Sequence, residues 1–167
     1  MMATTSADPE VPIYHYTMGS HLKGILKDHA IHTAAGYVPP GERAVVWCTT
    51  RPDWEPTATK DFLDRSQKPK NMISKMTREQ AEKHFGGLIR IQVKPEAAPM
   101  RWPEYVPNSG IDPGLADTLA RTGRAAGSDP ADWRMSFEPI VENDWISIEW
   151  KLEDAWVPYR TNRKSDI

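Results

Sequence analysis

The chain holds 167 residues, 39% of them apolar, with seven tryptophans and a formal net charge of −2. That length suits one domain with a real core, and the near-neutral balance excludes an overall basic field that would draw the chain to nucleic acid. Cys48 is the sole cysteine and cannot form an internal disulfide, no apolar run approaches the ~18 residues of a membrane span, and Met1 to Glu10 lack the apolar stretch of a signal peptide. A soluble cytoplasmic protein is expected.

Residues 1–11 are small, polar and acidic and read as a loose tail. Ile13 to Thr17 is β-branched or aromatic except for His15, which predicts a largely buried strand with Ile13, His15 and Thr17 on one face and Tyr14 and Tyr16 on the other. Gly19 breaks this strand, and Ser20 is placed to cap a helix whose Leu22, Ile25 and Leu26 form one apolar stripe. Thr33 to Arg43, with Gly36, Pro39, Pro40 and Gly41, reads as a loop. Ala44 to Thr49 is nearly continuously apolar, the pattern of a strand buried on both faces, and Thr49-Thr50-Arg51-Pro52 ends it. Thr57 predicts the cap of a helix over 58–65, Gln67 to Lys75 a basic loop, and Thr77-Arg78-Glu79-Gln80 the capping box of a helix over 78–84 that Gly86-Gly87 stops.

Leu88 to Lys94 alternates as a strand, Ile89, Ile91 and Val93 against Arg90, Gln92 and Lys94. Pro95 to Pro113 carries five prolines and reads as irregular, pinned to the core by Trp102 and Tyr105. Asp112-Pro113 then predicts a helix start, with Leu115 and Leu119 inward and Gly123 as the stop. Trp133 to Ile140 alternates Trp133, Met135 and Phe137 against Arg134, Ser136 and Glu138. After Asn143-Asp144, the residues Ile146, Ile148, Trp150 and Leu152 form an apolar face opposite Ser147, Glu149 and Lys151, and a basic tail begins at Arg160. The order β-α-β-α-α-β-α-β-β predicts a single α+β domain over 12–159, between tails at 1–11 and 160–167.

Tyr14-His15-Tyr16-Thr17, the helix carrying Leu22 and Ile25-Leu26, and then Ala30-Ile31 resemble the opening of the ADP-ribosyltransferase-like superfamily, on the side that holds the DarT-like DNA-modifying toxins and the RNA 2'-phosphotransferases. The likeness covers roughly residues 13–60, with a weaker echo near 133–149. His29-Ala30 stand where the family has a glycine. The fold this resemblance implies is a split, curved β-sandwich flanked by helices. The activity it implies is NAD-dependent transfer of ADP-ribose to a nucleic-acid or protein acceptor, with toxin-like roles following the family.

Several chemistries have no motif here: Gly-x-x-x-x-Gly-Lys-[Ser/Thr], Gly-x-Gly-x-x-Gly, Gly-x-Ser-x-Gly and His-Glu-x-x-His are all missing from the sequence. His21, His29 and His32 are near one another, but no carboxylate or cysteine completes a metal set, and no metal is expected. By resemblance, His15 hydrogen-bonds a ribose hydroxyl of NAD with Thr17 close by. The plainer alternative is a buried histidine bonded to a backbone carbonyl. The strand end Trp47-Cys48-Thr49-Thr50-Arg51 would present aromatic and hydroxyl groups to nicotinamide; equally, Trp47 is core and the threonines cap a turn. Trp54 and Arg51 can clamp a base or a pyrophosphate, or Trp54 can simply cover the core.

ADP-ribosyl transfer runs through an oxocarbenium-like ribosyl cation and needs an anion beside it. Glu138, in a late strand followed by a loop and Trp145-Ile146-Ser147-Ile148, matches the family's glutamate, with Arg134 nearby to keep it ionised. Glu149 and Glu142 are its rivals, the first on the face expected to be solvated and the second in a turn. Lys60, Arg65, Lys68, Lys70, Lys75 and Arg78 form a basic segment that would meet nucleic-acid phosphates or be solvated. Two alternatives to the transferase stand beside it. One is a catalytically silent nucleotide- or protein-binding module on the same fold; the other is NAD-dependent removal of an RNA 2'-phosphate, which in the family leans on several cleft arginines and histidines, a set the sequence does not place.

Overall fold

In the computed structural model, residues 11–34, 38–58, 61–63, 73–75 and 86–160 are described. Ile13–Met18 forms β1, Gly19–Asp28 α1, Ala30–Ile31 β2, Val46–Thr49 β3, Asp61–Leu63 β4, Ile73–Lys75 β5, Leu88–Val93 β6 and Met100–Arg101 β7. Trp102–Ser109 is α2, Pro113–Ala125 α3, Trp133–Ser136 β8, Ile140–Val141 β9, Trp145–Leu152 β10 and Ala155–Pro158 β11. Among the described residues the chain is thus a mixed α+β protein on a seven-stranded antiparallel sheet in the order β11-β10-β6-β1-β3-β8-β7, with the short pairs β2-β9 and β4-β5 beside it. No helix among them is long and apolar enough to cross a membrane.

Alternation in β1 and β6 separates the two faces of the sheet. The two strands pair along the whole of β1, from Ile13↔Val93 to Met18↔Leu88, so the odd positions of both point one way. Ile13, Ile89, Ile91 and Val93 gather there with Val46 and Cys48 from β3, Leu22 from α1, Ile31 and Ile140. On the opposite face Tyr14, Tyr16, Met18 and Leu88 pack with Trp54. A third cluster covers the β8 end, where Tyr105 of α2 and Ala116 of α3 meet Val45, Ile111, Trp133 and Met135.

Several elements depart from the reading above. α1 begins at Gly19, its N-cap is Met18, and no side chain caps it. Ser20 lies inside the first turn, and the Gly19 N–H donates to the Gly87 carbonyl at 2.9 Å, a tertiary partner in place of the hydroxyl. That approach requires glycine, because a Cβ on Gly19 would lie 2.2 Å from the Gly86 oxygen. The helix expected over 58–65 is replaced by a 3-10 turn at Pro56–Ala58 and then by β4, whose backbone pairs with β5 across Phe62↔Ser74. The Thr57 hydroxyl turns back to Glu55 instead of capping a helix. β5 also replaces the end of the loop expected over 67–75; the helix over 78–84 and most of the basic segment lie outside the described residues.

The proline-rich stretch contains α2, because Pro103 falls in the first turn, where no N–H is needed, while Tyr105 is buried below. In α3 the Asp112 carboxylate accepts from the Leu115 N–H at 3.1 Å, as its sequence predicts. The inward face is different: Leu115 and Leu119 are 40% and 38% exposed, whereas Ala116, Ala120 and Gly123 are buried. Gly123 is no stop. It lies within the helix because a Cβ there would meet the Trp133 ring at 2.6 Å.

β10 keeps Ile148 against the core, as expected, but departs in what is covered elsewhere along it. Ile146 is 54% exposed and Leu152 43%, while Lys151, expected in solvent, is only 4% exposed. A register shift between Trp145 and Ser147 precedes this arrangement, and the segment around Asp53 covers the charged face. There Arg90 Nε donates to Glu149 at 3.0 Å, Lys151 Nζ to Asp53 at 3.1 Å, and the Trp156 ring lies under both cations.

Candidate functional site

β1 and β3 pair only at Tyr14↔Thr49 and then part. The His15 ring closes the top of the gap: its Nδ1–H donates to the Trp47 carbonyl at 2.8 Å, which fixes that nitrogen as the donor. A cavity of about 1040 Å³ opens between these strands, α1 and α3, at the upper end of the usual range for small-molecule sites. His15 and Thr17 of β1, His21 and Asp28 of α1, and Trp47 and Thr49 of β3 all line it.

The His15 ring bonds a backbone carbonyl, as its plainer reading expects, and also lines the cavity. Thr17 lies 3.4 Å from His21 Nδ1. Trp47 is 37% exposed, which corrects the expectation of a strand buried on both faces. Its ring is held against Trp133, Tyr105 and Trp102, with centroids 6.0, 5.3 and 6.4 Å away. The Thr49 hydroxyl accepts from the Arg51 N–H at 3.2 Å, a turn bond at the strand end.

Thr50 and Arg51 do not line the cavity. The Thr50 hydroxyl donates to Asp132 at 3.3 Å, and Arg51 Nη1 donates to the Gly127 carbonyl at 2.8 Å, so the guanidinium is committed to holding a loop. Trp54 covers the core edge-on to Tyr16 at 5.1 Å. Glu138 is outside the cavity as well. β8 stops at Ser136, whose hydroxyl donates to the Glu138 carbonyl at 2.8 Å and accepts the Glu138 N–H at 3.1 Å, leaving the carboxylate exposed on a bend. Arg134 does not support it, since its Nη1 donates to the Ala131 and Trp133 carbonyls, each at 2.9 Å. Glu149 is held by Arg90 on the other face of the sheet, and Glu142 by His29 Nδ1 at 2.6 Å on the surface.

No family model, curated protein or solved structure matches the chain.

Two carboxylates that sequence reasoning missed do line the cavity: Asp28, bonded to His32 Nε2 at 3.0 Å, and Glu55. Glu55 is 6% exposed, and its Oε1 accepts from the Thr57 hydroxyl at 2.7 Å, the Thr57 N–H at 3.3 Å and the Ser128 hydroxyl. Ser128 is itself held by the Trp133 indole N–H at 2.9 Å. Among the described residues nothing hydrogen-bonds the buried Oε2, a costly state for an acceptor. The signal was faint: an acid between Trp54 and Pro56, with a hydroxyl two residues on, just beyond a strand already under suspicion. Cys48 also lines the cavity, but burial pushes its thiol well above the ordinary range, so it is not the thiolate a nucleophile requires.

Proposed function

We propose that this chain is an NAD-dependent ADP-ribosyltransferase that takes NAD into the cavity between β1 and β3. One observation supports the reading: His15, Thr17, Trp47 and Thr49, assigned to NAD by resemblance and drawn from two separate strands, line a single cavity large enough for a dinucleotide. The Trp47 ring offers an aromatic wall to a flat nicotinamide or adenine. Ser20, His21 and His32 line the same cavity beside α1 and place polar side chains next to the rest of the nucleotide. The acceptor is a nucleic acid or a protein, and the split between β1 and β3 is the feature that favours the ADP-ribosyltransferase-like form of this α+β fold.

A catalytically silent nucleotide-binding module is the second reading, favoured by the positions of Glu138, Glu149 and Glu142 away from the cavity. Phosphate removal from RNA has less support, because no arginine among the described residues lines the cavity. Nicotinamide release from NAD by the full chain decides between the transferase and the silent module. The transferase releases nicotinamide, and His15→Ala cuts the rate by about tenfold or more, the loss of a positioning hydrogen bond. NAD binding without release, in the presence of protein or nucleic-acid acceptors, selects the silent module, and no binding overturns both.

A further inference from the structure

Gly24 lies inside α1, where glycine is a poorer choice than alanine because it loses more chain entropy on folding. The fold gives no reason for it. Every other described glycine has a positive φ or would bring a Cβ within 3.1 Å of another atom, whereas Gly24 has a φ outside the left-handed region and a Cβ there would meet nothing within 4 Å.

The open space beside Gly24 belongs to the cavity. Ser20, His21, Gly24, Ile25 and Asp28 are the α1 residues on its wall, a continuous strip of helix surface. Ser20 and Asp28 stand in one row with Gly24, a turn to either side and about 6 Å away along the axis. The row therefore offers a hydroxyl, a patch of bare helix backbone and a carboxylate. His32 Nε2 donates to Asp28 Oδ2 at 3.0 Å, and the Asp28 side chain is 47% exposed, so it retains acceptor sites for a ligand. A glycine in such a place lets a ligand approach the backbone more closely than any side chain permits. A ring that carries hydroxyls at its edge fits this row: ring on the backbone, hydroxyls to the carboxylate.

We infer that Gly24 is a specificity-determining position, where a ribose ring lies against the α1 backbone with its hydroxyls reaching Asp28. The inference rests on the NAD reading above and deepens it. With one ribose at His15, the ribose over Gly24 is that of the adenosine half, where no bond is made or broken.

Thermal melts of the free protein and calorimetry with NAD test this on the wild type, Gly24→Ala, Gly24→Leu and Lys23→Leu. Alanine and leucine both favour a helix over glycine, so Gly24→Ala is expected to raise the melting temperature by about 1–4 °C and Gly24→Leu not to lower it. NAD affinity is expected to fall by about tenfold or more in Gly24→Leu, from the overpacking a side chain causes in occupied space. Lys23→Leu, one residue away and off the cavity wall, should bind NAD as the wild type does. Nicotinamide mononucleotide, which lacks the adenosine half, should bind the wild type and Gly24→Leu equally. A more stable protein with a weaker hold on NAD is a combination that a purely structural glycine does not give. Wild-type affinity for NAD in Gly24→Leu overturns the Gly24 inference and leaves NAD binding standing. So does a lower melting temperature in Gly24→Ala, because the fold would then need the glycine, and so does an equal loss in Lys23→Leu or with the mononucleotide. If wild-type protein does not bind NAD, the NAD reading itself falls and the Gly24 inference with it.

Discussion

His29 ends α1 with φ 53°, in the left-handed region where a Cβ is strained and the resembling families place glycine. Its ring pairs with Glu142, but both groups are largely exposed and the pair contributes little. His29→Gly is therefore expected to raise the urea stability by about 0.5–1 kcal/mol, the relief of left-handed strain less the extra chain entropy of glycine. A loss of stability would show that the pair with Glu142 outweighs the strain. Cys48 and Tyr16 lead to a second prediction. Burial pushes both groups above their ordinary values of 9.0 and 10.0, Tyr16 despite the opposing charge of Arg90. Each keeps its proton in the folded state where the unfolded chain loses it, so the stability it contributes is whole below those values and is lost as pH rises through them. Stability is expected to fall by about 1.4 kcal/mol per pH unit for each such group, first above the cysteine value. Cys48→Ala should remove the first part of that decline in urea melts recorded from pH 8 to 10.5.

α3 shows how an element can be found and its face misread. Asp112-Pro113 announces the helix start, but the leucines point outward, and the buried positions are Ala116, Ala120 and Gly123. Here close approach to Trp133 decides the face, and periodicity of large apolar residues does not report it. Gly123→Ala is expected to cost about 1–3 kcal/mol in urea unfolding, the range for overpacking, whereas Leu115→Ala should stay within about 0.5 kcal/mol. Equal losses would return α3 to the leucine-inward arrangement. β1 and β6 were legible because both alternate cleanly and pair along the whole of β1. β10 was not, because both of its faces hold large side chains, and the covering of its charged face depends on Asp53, distant in the chain. On the cavity wall, His15, Thr17, Trp47 and Thr49 had been named from strand position and resemblance. Glu55 was not, since it is a single acid in a turn with no spacing to mark it, and its donors Thr57 and Ser128 come together only on folding.

The whole molecule is organised by the parting of β1 from β3. One edge of β1 is fully paired to β6, and the other opens after Tyr14 to make room for a cavity that α1 and α3 wall in. A ligand seated there bridges both sides of the split and binds only the folded state. NAD at 100 times its dissociation constant should therefore add about 2.7 kcal/mol to stability and raise the melting temperature by roughly 5–10 °C. Nicotinamide alone, reaching fewer of these walls, should raise it less at the same concentration. The most direct test of the central claim is a crystal structure of the full chain grown with NAD. The account predicts density for the dinucleotide between β1 and β3, with a ring against Trp47 and a ribose hydroxyl at His15. NAD bound at another surface, with the space between those strands filled by solvent alone, would contradict it.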